Sequence, residues 1–85
     1  MINRNENPVE SSVLEYQLQD ARDHIQTLLN RMQNEDFDEV EYQIELKHIY
    51  SHLNKAWNAR NHLGEWSESD FEEYKKYNSD IEHGI

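Results

Sequence analysis

The 85-residue chain has no cysteine, one proline and two glycines. Without thiols there is no disulfide framework, no thiolate nucleophile and no CxxC zinc site, although zinc held by His and carboxylate stays open. Two glycines, Gly64 and Gly84, cannot build a Gly-rich loop that cradles phosphate. No apolar run approaches the roughly 20 residues that span a bilayer. The opening Met1-Ile2-Asn3-Arg4-Asn5-Glu6 also lacks the apolar stretch of a secretion signal, so a soluble, cytoplasmic protein with no membrane partner is expected. Positive charge is scarce too. Eighteen acids against eight Lys and Arg give a formal charge of −10, which disfavours direct nucleic-acid binding through a general electrostatic footprint.

Aliphatic residues are equally thin. Leu, Ile, Val and Phe fill 18 of 85 positions, just above the level at which highly charged chains stay disordered. A chain of this length forms one domain, residues 1–85, and buries only about 60–65% of its unfolded surface. Five Tyr and two Trp must therefore enlarge the core or serve an interface, and a second copy is the simplest partner.

The apolar periodicity predicts an all-α protein: an antiparallel two-helix hairpin, helices at about 8–33 and 37–63, plus a short third C-terminal helix at about 68–78, completed as a helical bundle by dimerisation. Asn7-Pro8-Val9-Glu10 reads as a capped start, with Ser12 and Glu15 as a rival. Leu14, Leu18, Ala21, Ile25, Leu28 and Met32 then recur in steps of four and three, the seam of a helix packed at a shallow angle. Asp36-Phe37-Asp38-Glu39 opens the second helix and Gly64 closes it. Its expected seam is Tyr42, Leu46, Ile49, Leu53, Ala56, Arg60 and Leu63, with Tyr50 and Trp57 widening one side. Phe37, Val40 and Ile44 form a second strip that needs its own cover. Ser67 and Asp70 form a capping box flanked by Trp66 and Phe71 at hydrophobic-staple spacing, and Phe71, Tyr74, Tyr77 and Ile81 supply a weak third face that frays near Asn78-Ser79. Residues 1–6 and 83–85 are expected to be loose.

The segment from residue 46 to 64 is the one cationic band, with Lys47, Lys55 and Arg60 and no acid. Tyr50, Asn54, Trp57, Asn58, Arg60 and Asn61 are its candidate partner- or ligand-contact residues. Arg60 can stack on Trp57, and three amides beside an aromatic platform suit a carboxylate, a small anion or a peptide. The alternative is structural: the amides tie down the ends of helices one and three.

Glu41, Glu45, His48 and His52 share another flank of the second helix, and Glu45-x-x-His48 has the spacing of carboxylate-bridged dimetal bundles. His24 with Asp20 offers a similar pair on the first helix. Glu45, His48 and His52 are thus the metal candidates, yet they lie off the expected apolar stripe, where a wet boundary is the rule, so no metal and no cofactor is expected. No nucleophile or oxyanion constellation accompanies the Glu/His pairs, and no enzyme activity is expected. The composition favours a small acidic helical protein–protein interaction or regulatory protein, with a protein partner that includes itself as a homodimer. A metal-binding helical bundle and an acidic decoy of a nucleic-acid-binding protein are the alternatives.

Overall fold

The structure, a computed structural model, describes residues 1–76. It is all-helical, with α1 (Pro8–Arg31), α2 (Glu39–Asn58) and α3 (Glu68–Tyr74), and no strand among the described residues. The two long helices pack against each other as an antiparallel hairpin, and α3 packs on α2. α3 stops at Tyr74, with Lys75 as its C-cap, short of the expected 78; the apolar positions Tyr77 and Ile81, the fraying point and the tail 83–85 lie outside the described residues.

Each helix end has a local cause. Pro8 sits in the first turn of α1, but Asn7 makes no side-chain cap; Asn3 prepares the entry instead, accepting from Glu6 N–H through Oδ1 and from Asn7 N–H through its carbonyl, both at 2.9 Å. The rival start is unused, because Ser12 Oγ donates back to the Pro8 carbonyl inside the helix. α2 begins at Glu39 rather than 37, with Asp38 as the cap accepting from Glu41 N–H at 2.9 Å. It also stops at Asn58 instead of 63. There the chain tightens into turns, Arg60 N–H to Trp57 O and His62 N–H to Ala59 O, and Arg60 O is taken by Ile2 N–H at 2.8 Å. Gly64, with φ of +83°, bends the loop beyond that point rather than ending the helix. α3 opens with the expected capping box, Ser67 and Asp70 bonding reciprocally, and Trp66 packs on Phe71 with ring centroids 5.0 Å apart.

The N-terminal segment, expected to be loose, makes specific contacts with the helices. Ile2 is buried with Leu14 and Ala59, and Trp66 and Tyr74 close over this cluster at the open end of the hairpin. Arg4 pairs with Glu15 beside it. One aliphatic side chain therefore ties the first residues, both long helices and α3 together.

The seam of the hairpin is rotated from the apolar periodicity. Leu14, Ala21 and Leu28 are buried as expected, but Leu18, Ile25 and Met32 are 52%, 42% and 49% exposed. Gln17, His24 and Arg31 take their places, in steps of three and four with Leu14, Ala21 and Leu28. Across from them lie Glu45, Ile49 and His52 of α2, while Tyr42 and Leu53 stay partly exposed. The cause is polar pairing: Arg31 donates to Glu45 at 2.8 Å and to Glu41 at 3.0 Å, and His52 donates to Gln17 at 2.7 Å. Three charge-assisted or buried bonds hold this face inward, since turning it outward would exchange them for bonds to water and leave Glu41, Glu45 and His52 of α2 without these partners.

Candidate functional site

The histidine flank, expected to be a wet boundary, is part of the interhelical contact. His24 of α1 and His48 and His52 of α2 converge, each offering a ring nitrogen within 4.8 Å of the others. His48 and His52 approach through their Nε2 atoms at 3.1 Å, and the rings of His24 and His48 have centroids 4.0 Å apart. Asp20, one turn before His24, places Oδ2 3.8 Å from His52 Nε2. His52 is buried, His24 half-buried and His48 exposed. Burial is the main cause that lowers the His52 pKa, aided by His48, Lys55 and His24 and opposed by Asp20.

Of the metal candidates, His48 and His52 come together, but Glu45 does not join them; its carboxylate faces Arg31, which also stacks over Phe37 at 5.6 Å. His24 replaces it. Gln17, which no sequence motif singles out, orders the group by accepting from His52 Nδ1. Its signal was the heptad of Gln17, His24 and Arg31 beside Leu14, Ala21 and Leu28.

The contact candidates of the cationic band divide. Asn54 donates to the Lys75 carbonyl at 2.9 Å, and Asn58 to the carbonyls of Tyr74 and Lys76 at 2.8 and 3.1 Å, so both secure the end of α3. This is the structural role of the amides, realised at helix three. Arg60 lies past the end of α2, stacks on Trp57 at 3.9 Å and donates to the Trp57 carbonyl. Asn61 is exposed and Tyr50 is 56% exposed. His62, in the same loop, bonds Tyr74 Oη at 2.7 Å and the Glu65 carbonyl.

A second feature comes from the rotated seam. Gln17, His24 and Arg31 on α1 and His52, His48 and Glu41 on α2 are displaced to one side of their seams, and they meet one another. Residues displaced to the other side therefore share the opposite face of the hairpin. These are Leu18, Ile25 and Leu29 on α1 and Met32 at its C-cap, with Tyr42, Leu46, Tyr50 and Leu53 on α2, and all but Leu46 are exposed. An apolar face thus backs a polar, histidine-lined one.

Comparison with protein-family models, with curated proteins and with solved structures finds no match.

Proposed function

We propose that this chain is a non-catalytic interaction protein that works through the apolar face of its hairpin, and that the face is covered by a second copy. The observation that carries this reading is the two-helix strip Leu18, Ile25, Leu29, Met32, Tyr42, Leu46, Tyr50 and Leu53, left outside while polar groups occupy the seam. A continuous exposed strip of this kind is unusual for a monomer and usual for an interface. The core points the same way: six apolar residues are buried, two of them Ala, and no large side chain is fully enclosed among the described residues. Two copies joined face to face form a four-helix arrangement that removes both strips from water. The decoy reading fares less well, because Glu41 and Glu45 are engaged by Arg31 rather than presented as a free acidic row.

Sedimentation and light scattering across the micromolar range test this. The wild type should be a dimer, and Ile25→Glu or Leu29→Glu should give a helical monomer. A wild type that stays monomeric at the highest concentration, or a glutamate variant that stays dimeric, would overturn the reading.

A further inference from the structure

We propose a second site on the opposite face: His24, His48, His52 and Asp20 bind a divalent transition-metal ion of the zinc class, bridging α1 to α2.

The donor set is two one-turn pairs. Asp20 and His24 stand four apart on α1, His48 and His52 four apart on α2, so each pair shares a helix face, and the antiparallel packing brings the three imidazoles together with Asp20 beside His52. Three imidazoles and one carboxylate are the ligands that suit zinc, cobalt or nickel, whereas calcium and magnesium want oxygen. Around a tetrahedral ion with Zn–N bonds of about 2.0–2.1 Å, donor nitrogens lie roughly 3.3 Å apart. His48 and His52 Nε2 are already at 3.1 Å, Asp20 Oδ2 is 3.8 Å from His52 Nε2, and the nitrogens of the three rings span no more than 4.8 Å. The remaining closure falls to Asp20, His24 and His48, none of which is buried.

The tautomer of the buried ring supports the same chemistry. Gln17 Oε1 only accepts, so His52 Nδ1 carries the proton and its Nε2 lone pair points at His48. A hydrogen bond of this kind on the far nitrogen is how proteins orient a metal-ligating His. His48 is open to solvent, which provides the entry path for an aqueous ion.

The competing account is a purely structural cluster in which His48 donates to His52. Tag-free protein, stripped with chelator, separates the two when titrated with zinc chloride by calorimetry and with cobalt(II) by absorption. One ion per chain, a zinc-raised melting temperature and the intense visible bands of tetrahedral cobalt are expected. His48→Gln, chosen because the ring is exposed, should weaken binding roughly 100-fold, and Gln17→Leu by about 10-fold. His62→Gln, at the α3 end, should change nothing. The proposal fails if the wild type shows no saturable binding, if one ion links two chains, or if His48→Gln binds as tightly with native helicity. Should the variants lose helicity, the stoichiometry and cobalt spectrum of the wild type decide. Ile25→Glu, on the other face, should retain zinc, so failure of the dimer and failure of the metal site are distinguishable.

Discussion

Asparagine is a poor helix residue, because its amide competes for nearby backbone groups. Asn54 and Asn58 avoid that competition by reaching away from α2 to the carbonyls at the end of α3, groups that a helix terminus leaves without intrahelical partners. Asn58→Ala removes donors to two such carbonyls and should cost about 1–2 kcal/mol in chemical denaturation. Asn58→Asp should cost at least as much, since a carboxylate cannot donate and would face two carbonyl oxygens. A variant that unfolds at the wild-type denaturant midpoint would show that the Asn58 bonds do not hold α3. The oddity of these amides is legible in the sequence, as is a structural role at helix ends; which carbonyls they reach is not, because their partners are backbone atoms, which no residue type advertises.

Among the elements, the start of α3 is the most legible in the sequence, since it depends on neighbours along the chain: Ser67 and Asp70 cap, Trp66 and Phe71 staple. The Asp70 carboxylate accepts from Ser67 N–H, and this bond above all holds its pKa below the usual aspartate range, with His62 adding to the effect. A folded-state pKa below the unfolded one means the cap's contribution is complete above the unfolded value and is lost as pH falls through the folded one. The Ser67 amide resonance should therefore titrate at a pH below the ordinary aspartate range, and a midpoint within or above that range would contradict the cap. The end of α2 is less legible. Gly64 looked like its stop, but the helix ends six residues earlier, where Ile2 takes the Arg60 carbonyl. A long-range bond of this kind has no local signature.

At the scale of the molecule, Ile2 joins elements that are far apart in sequence. Its side chain is packed on Leu14 and Ala59 under Trp66 and Tyr74, and burying an Ile side chain contributes roughly 1.5–3 kcal/mol. Ile2→Ser should thus lower stability by about 2 kcal/mol and loosen Trp66, read as a red-shifted fluorescence emission; a wild-type melting temperature would mean that the N-terminal segment does not hold the fold. The two faces of the hairpin give the whole its character. One side pairs Arg31 with Glu41 and Glu45 and gathers three histidines, and the other exposes Leu18, Ile25, Leu29 and Met32.

By itself the sequence determined the helical class, the hairpin and the third helix, because heptad spacing and capping boxes act over a few residues. It also placed Leu14, Ala21 and Leu28 in the seam. Only the tertiary structure decided which of the two flanking rows completes that seam. The apolar row Leu18, Ile25 and Met32 and the polar row Gln17, His24 and Arg31 share the same period. The choice rests on the complementary groups that α2 supplies, since a buried polar pair with satisfied hydrogen bonds resists separation, whereas the apolar row can still be covered from outside.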